Sequence, residues 1–511
     1  MALKLNRSSS MYSIVLLTVT AIITQGLGFV YRVAMSRMVG AEVMGLYQLI
    51  MPVYSVVMSL TAIGLTVAVS RLSAEYHALG RQKSVQATLS RCLLLFFALF
   101  LPIGAAGIAG SDPISVYLLG DARTQLGLIL LIPCIFFTGI ENIHKHCFYG
   151  VGNVRPPAAV ETLEQVVRMT AVLGLLFFFA AGKSEEKTVG LIVAGMVICE
   201  IFSSTCLVAL FRKHLAGRES RSDAEPASLR RIASIAVPVG LTSLLGTILS
   251  SANAVLIPQL LVIAGMNRDD AIASFGVLFG MTIPLLYLPS ALIAALGLVL
   301  VPKLSESIAL KQPEAVRRRI HRALLGTSVL VMPFTALLTV VGPTLGVLMF
   351  GDPGVGNYLR ELSLPVLLSS YQGILGTALN GLNRQGAAAR NAIVCNVIQL
   401  VFTALLVRIP GVGLLGFVIG FAVSTVVGLV ANWRSVVKTT NIKLNVFEWM
   451  VAPALATILM ALCVNLLYAF LCNGGISVPH AALISFGFGG VLYVLTLQLQ
   501  GVSLRTLFRI S

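Results

Sequence analysis

The chain is 511 residues long, 57% hydrophobic and only 11% charged, with 36 Lys+Arg against 20 Asp+Glu and a net charge of +16. A soluble domain is about 25% charged, so water is not the main solvent for this protein. The basic excess reads as positive loops gathered on one side of a membrane; without zinc-knuckle spacing or a large basic domain, it does not read as a nucleic-acid surface.

Apolar runs long enough to cross a bilayer core as helices recur along the whole chain. Fourteen spans are predicted, at roughly 12–38, 44–70, 92–110, 126–148, 158–181, 188–211, 233–264, 275–301, 323–349, 362–383, 389–407, 411–433, 447–471 and 481–499. The connections are short and leave no room for a soluble domain. Lys4 and Arg7 precede a hydrophobic run without a small-residue cleavage site, which reads as a first span and not a removed signal peptide. With this span count, 27 of the 36 lysines and arginines fall on the side of the even-numbered connections and the two tails. That bias predicts cytoplasmic termini in a multi-pass protein of the bacterial cytoplasmic membrane.

Charges inside the spans need a reason, since each costs about 2.5–3.5 kcal/mol on insertion scales. Span 1 carries Arg32 and Arg37 in its outer third. They either snorkel to the headgroups or line a cavity mouth and bind phosphate, to which the planar guanidinium is suited. Arg71 closes span 2 and Lys303 closes span 8; they are positive-inside anchors or a paired grip on an anion. Glu141 lies in the inner part of span 4. Span 5 carries Glu161, Glu164 and Arg168, at i−7, i−4 and i of one helical face, with Arg168 near the midplane. Glu200 is midway along span 6. These five charges read as neutralised structural pairs, such as Glu164 or Glu200 with Arg168, or as coupling carboxylates for H+ or Na+.

No cofactor, metal site or catalytic group is predicted. His144, His146 and Cys147 at i, i+2 and i+3 do not converge on a tetrahedral ion. The eight cysteines form no CxxC and read as small hydrophobes. No Walker motif, HExxH or nucleophile triad is present. Asp269-Asp270 falls in a short loop, and Asn391, Asn396 and Gln399 form a polar set on span 11.

The second span, GLYQLIMPVYSVVMSLTAIGLTVAVSRLS from Gly45, returns at Gly276 as GVLFGMTIPLLYLPSALIAALGLVLVPKLS. Pro52 and Pro284 are 232 apart, and so are Arg71-Leu72-Ser73 and Lys303-Leu304-Ser305. Leu119-Gly120-Asp121 maps onto Phe350-Gly351-Asp352, Pro133 onto Pro365, and Tyr149-Gly150-Val151 onto Asn380-Gly381-Leu382, all 231 or 232 apart. Spans 1–6 and 7–12 therefore read as two copies. An offset of six spans makes the repeat parallel, related by an axis along the membrane normal. The expected organisation is an N-lobe over 1–215, a linker over 216–232, a C-lobe over 233–434, and spans 13–14 with a tail over 435–511.

The stretch LGFVYRVAMSRMVGAEVMGLYQLIMPVYSVVMSLTAIGLTVAVSRLSAEY, Leu27 to Tyr76, resembles the stage V sporulation protein B group of the multidrug/oligosaccharidyl-lipid/polysaccharide exporter superfamily. It is similar to MurJ-type lipid II flippases and polysaccharide-repeat flippases. The resemblance implies an all-α membrane protein of two six-helix lobes in a V plus two extra helices. It also implies a cavity lined by spans 1, 2, 7 and 8, and alternating access without nucleotide hydrolysis. Arg37, in SRMVGA, matches a basic position of the lipid II flippases. Tyr31-Arg32 stands where they carry an acid after an arginine, and span 8 here has no cavity arginine before Lys303. The expected function is a flippase, not an enzyme, for an undecaprenyl-diphosphate-linked peptidoglycan or polysaccharide precursor, with a role in spore cortex synthesis. Its cargo would be gripped by Arg32, Arg37, Arg71 and Lys303. A cation or multidrug antiporter on the same scaffold is the alternative; it would use the acids of spans 4–6.

Overall fold

Gly40 decides where the first apolar stretch turns. The helical stretch Leu16–Ala78 is 63 residues long, which at 1.5 Å per residue is about three times a bilayer core. It must hold two crossings, and the backbone breaks at Gly40 (φ 77°, ψ 178°), a conformation open to glycine and costly for other residues. The computed structural model describes residues 10–215, 227–441 and 446–502. Most of the expected linker, residues 216–226, lies outside them.

In chain order the elements are α1 (Ser10–Met58), a π-helical segment (Ser59–Ile63), α2 (Gly64–Ala78), α3 (Gln82–Ala109), the short α4 (Ser111–Pro113) and a second π-helical segment (Ile114–Leu118). A 3-10 turn (Ala122–Thr124) leads into α5 (Gln125–Gly150), followed by α6 (Arg155–Phe179), α7 (Glu185–Leu215), α8 (Leu229–Ile263) and α9 (Arg268–Phe275). The π segment Gly276–Thr282 leads to α10 (Ile283–Leu286), α11 (Ser290–Ala309), α12 (Pro313–Leu345) and a last π segment (Gly346–Phe350). The chain ends with α13 (Pro353–Gly381), α14 (Gln385–Leu406), α15 (Leu414–Thr440), α16 (Val446–Asn473) and α17 (Val478–Leu499). The described residues contain no strand.

Fourteen helical stretches among the described residues are long and apolar enough to cross a membrane. The first holds spans 1 and 2. Two others, Arg268–Leu286 and Ser290–Ala309, make one interrupted span, because helical turns run through the three residues between them. Tyr287 N–H reaches the Ile283 carbonyl at 3.1 Å, Ser290 N–H reaches Tyr287 at 2.9 Å, and Ile293 N–H reaches Pro289 at 3.2 Å. Several helices start well before their apolar runs, α3 at Gln82 and α13 at Pro353 among them. A helix that has left the hydrocarbon keeps its hydrogen bonds in the headgroup region, so hydropathy marks the core crossing and not the helix end. Proline at the first turn of α6, α12, α13 and α17 sets several of these starts. The linker, expected to reach 232, ends at Ser228, whose hydroxyl accepts from Arg231 N–H and caps α8.

The repeat is visible as recurring local geometry. The π segments Ile114–Leu118 and Gly346–Phe350 occupy matching positions. Each is followed by a left-handed glycine, Gly120 (φ 77°) and Gly351 (φ 74°). An extended aspartate comes next: Asp121 accepts from Arg123 N–H at 2.9 Å, and Asp352 from Gly354 N–H at 2.7 Å. The packing recurs too. A Cβ on Gly150 would meet the Ser70 carbonyl, and one on Gly381 the Val301 carbonyl.

The chain divides into two compact units, Met1–Gly276 and Val277–Ser511. The first includes α8, which lies against α2. Gly64 abuts the Ala236 carbonyl so closely that a Cβ would sit 2.2 Å from its oxygen, and the Ser59 and Thr247 hydroxyls meet at 2.8 Å. In the second unit Leu304, Leu324, Leu375 and Leu379 form a buried core with Trp449. Val341, Met460, Val464 and Leu497 seat α16 and α17 on α12. In lipid such contacts hold by close packing more than by exclusion of water.

Candidate functional site

The helical spacing of Thr138, Glu141 and Lys145 on α5, of Glu161, Glu164 and Arg168 on α6, and of Glu200 and Ser203 on α7 turns one polar stripe of each helix toward the other two. Arg168 is the hub. Its guanidinium pairs with Glu164 one turn earlier and with Glu200 at 3.0 Å. Thr138 donates to the second oxygen of Glu200 at 2.8 Å, and Ser203 donates to Glu141 at 2.7 Å. Lys145 Nζ lies 3.5 Å from Glu161. Glu141 and Glu200 are 3% exposed and Glu164 is 7% exposed. Arg168 therefore pairs with both carboxylates that sequence reasoning offered as alternatives.

This group holds four carboxylates against two cations, within spans where isolated charge is costly. Such a surplus can bind a proton or a small cation. Ligand atoms of Glu164, Cys199 and Glu200 lie within 4.8 Å of one another, but the Arg168 guanidinium already sits on both carboxylates. Two buried donors nearby, Arg168 Nε and the Tyr31 hydroxyl, have no hydrogen-bond partner among the described residues. His144 is buried, bonded through Nδ1 to the Ile140 carbonyl at 2.8 Å and edge-on to Phe211, and so belongs to helix packing.

The second repeat carries a neutral version of the cluster. At an offset of 231 residues Glu141 falls on Gln372, and at 232 Glu164 falls on Asn396 and Glu200 on Asn432. Asn432 donates to the Gln372 carbonyl at 2.9 Å and accepts from Asn391 at 2.9 Å.

Within the first unit the three arginines expected to bind anions are not gathered in one place. Arg32 is half-buried on α1, five residues before the exposed Arg37. Arg71 is exposed on α2, 31 residues beyond the Gly40 break and hence about 45 Å along the helix axis from it. In the second unit Lys303 is partly exposed and lies 3.7 Å from Glu306.

An ion-pair group that the sequence did not signal joins three connections at one end of the first unit. Arg123 reaches Glu42 at 2.6 Å, Asp121 at 2.9 Å and Asp269 at 2.9 Å, while Arg268 lies 3.4 Å from Asp121. These residues follow spans 1, 3 and 7, which must therefore end on the same side. At the other end Arg231 pairs with Glu75 at 2.6 Å, and Arg91 donates to the Ala227 carbonyl at 2.8 Å. Among the first unit's connections joined by these contacts, odd-numbered ones (1, 3 and 7) meet one another and even-numbered ones (2 and 6) meet one another.

Among known proteins, the chain is 26% identical over 454 residues to stage V sporulation protein B of Bacillus subtilis, covering 87% of this chain and 86% of that one. It is 22% identical to the lipid II flippase MurJ of Bacillus subtilis, covering 81% and 80%. Its fold resembles that of lipid II flippase MurJ in an inward closed conformation, with TM-score 0.72 and 13% identity over 97% of this chain and 100% of the other. An inward-facing multidrug resistance MATE family transporter of the MOP superfamily matches with TM-score 0.67 and 17% identity, over 83% of this chain and 100% of the other. The model of the polysaccharide biosynthesis protein family matches residues 11–308, more than half of the chain, and this protein belongs to that family.

Proposed function

We propose that this protein is a flippase that moves an undecaprenyl-diphosphate-linked peptidoglycan or polysaccharide precursor, of the lipid II type, across the bacterial cytoplasmic membrane. A diphosphate headgroup cannot cross hydrocarbon unaided, and alternating access between the two repeats would give it a polar route while the lipid tail stays in the bilayer. The observation that carries this reading is the match, over about four-fifths of both chains, with a relative named a lipid II flippase. The match to stage V sporulation protein B supports a role in spore cortex synthesis. On this reading both termini are cytoplasmic. Arg32 and Arg37 meet the headgroup toward the outer end of the route. Arg71 and its repeat counterpart Lys303 meet it at the cytoplasmic end. With Arg37 and Arg71 at opposite ends of the first two spans, the cations act in succession and not as one grip. The Glu141, Glu164 and Glu200 cluster around Arg168 is the coupling element, for H+ or Na+.

A leaflet-accessibility assay for lipid II, in cells depleted of their other flippases, tests this. The protein restores outward lipid II, and R32A/R37A does not. A second reading, a cation antiporter, is favoured by the carboxylate surplus in spans 4–6. If R32A/R37A keeps full activity while E164Q abolishes cation efflux, the flippase reading is wrong and the antiporter takes its place.

A further inference from the structure

A seam in the first unit runs between α8 and the π segment Ile114–Leu118, and it holds two cavities. One, of about 410 Å³, is lined by apolar side chains and one hydroxyl, with Pro52, Val56, Ile114, Ile248, Ala252 and Val255 among them. The other, of about 320 Å³, lies further along α8, where Leu119 and Ile263 share the wall with Asp121, Gln259 and Arg268. Both volumes fall in the range of small-molecule sites, about 300–1,000 Å³. Between the two, Gln259 donates its side-chain amide to the Leu118 carbonyl at 2.7 Å. Gly120 makes the polar end possible: a Cβ there would lie 3.2 Å from both Arg268 Nη2 and Gln259 Nε2.

The dimensions suit a lipid. From Gln259 to Ile248 is eleven residues, about 16 Å of helix, or half of a hydrocarbon core of about 30 Å. The seam thus presents a polar mouth at the end of α8 and an apolar bed one leaflet deep. The charges at the mouth narrow the headgroup. Arg268 is half exposed, whereas Asp121 is buried under Arg123. The ion-pair group as a whole sets three carboxylates (Glu42, Asp121, Asp269) against two guanidinia (Arg123, Arg268). A purely anionic headgroup would add to that surplus.

We propose that this seam binds a zwitterionic aminophospholipid. One of its chains lies in the apolar cavity, its phosphate is on Arg268, and its ammonium faces the carboxylate surplus. On the orientation proposed above the lipid sits in the outer leaflet, but binding does not depend on that.

The test is native mass spectrometry of the full-length protein carrying equal phosphatidylethanolamine and phosphatidylglycerol. The wild type retains phosphatidylethanolamine by roughly two- to fivefold over phosphatidylglycerol, the range expected of one exposed charge interaction. R268Q lowers retention of both lipids, whereas D269N, which removes an exposed carboxylate of the surplus, loses the preference. A252W fills the apolar cavity away from the ion pairs and loses the bound lipid while keeping its melting temperature. Equal or greater retention of phosphatidylglycerol by the wild type, no retained lipid, or unchanged retention in A252W overturns the proposal. Because retention is read without transport, its failure leaves the flippase reading standing.

Discussion

Replacing Arg168 by glutamine should be among the most damaging single changes in the first unit. The arginine holds two buried carboxylates, Glu164 through an i, i+4 pair and Glu200 across helices at 3.0 Å. R168Q leaves both carboxylates in a low-dielectric interior without their counter-charge. Breaking a buried pair from one side costs about 3–5 kcal/mol, whereas replacing a whole buried ionic group by neutral side chains is often neutral or stabilising. The triple variant R168Q/E164Q/E200Q should therefore recover most of the loss. The second repeat offers an internal precedent: it folds with Gln372, Asn396 and Asn432 at the positions of Glu141, Glu164 and Glu200. Unfolding in mixed detergent micelles, followed by circular dichroism, measures wild type, R168Q and the triple variant. If R168Q stays within about 0.5 kcal/mol of wild type, the range of an ordinary surface substitution, or if the triple variant is as unstable as R168Q, the cluster does not hold this part of the bundle.

Two further predictions concern packing and pH. G150A should destabilise more than G381A, although the two glycines are repeat counterparts. A Cβ at Gly150 would lie 2.3 Å from the Ser70 carbonyl oxygen, against 3.0 Å from Leu304 Cβ and 3.1 Å from the Val301 carbonyl at Gly381. Overpacking costs about 1–3 kcal/mol, and thermal melts of the two variants should differ in that order; equal melts would contradict the geometry. At Asp121, burial alone would raise the carboxyl pKa. Hydrogen bonds from the Arg123 side chain and backbone, with the charges of Arg123 and Arg268, outweigh burial and hold it below the usual range. A carboxyl depressed on folding contributes stability above its unfolded value of about 3.9, and loses it as pH falls through the folded value. D121N should thus be less stable than wild type at pH 7 by about 1–2 kcal/mol. That gap should stay level down to about pH 5 and close only below about pH 4; a gap that closes near neutral pH would contradict the assignment.

Much of this architecture is written in the sequence because hydrocarbon leaves little choice. A backbone that must satisfy its own hydrogen bonds in lipid forms helices, so the apolar runs mark the spans. The LGD and FGD landmarks are legible for a local reason: a glycine at positive φ followed by a capping aspartate is the chemistry of a helix start. The Glu164–Arg168 pair is legible as well, from its i, i+4 spacing. Across helices, Glu200 is legible as a partner of Arg168 because a lone charge within a span needs one, but the hydroxyl partners are not. Neither Thr138 with Glu200 nor Ser203 with Glu141 has any sequence relation that announces it, because three helices must first be placed side by side. Glu42, Arg123 and Asp269 sit in short polar connections where charge is expected whatever it does, so their convergence leaves no trace in composition. The hold of α8 on α2 through Gly64 and Ala236 is equally silent, since a glycine in an apolar span has many uses.

What separates the two repeats is therefore charge laid over a common frame. Both copies keep the π segment after spans 3 and 9, the left-handed glycine, the aspartate cap and the close glycine on the next helix; their backbones differ at span 8, which breaks between Leu286 and Ser290 where span 2 does not, but not at these landmarks. Both also keep a polar cluster at corresponding positions of three consecutive helices. In the second, Asn391 donates to Asn432 and Asn432 to the Gln372 backbone carbonyl, without a charged group among them. In the first it is made of carboxylates around one guanidinium, more acids than the cations present can neutralise. A frame that demonstrably accepts amides there does not need carboxylates to fold. The carboxylates burden the first repeat with charge in lipid that the second avoids, and the coupling role proposed above would give that burden a use that helix packing alone does not.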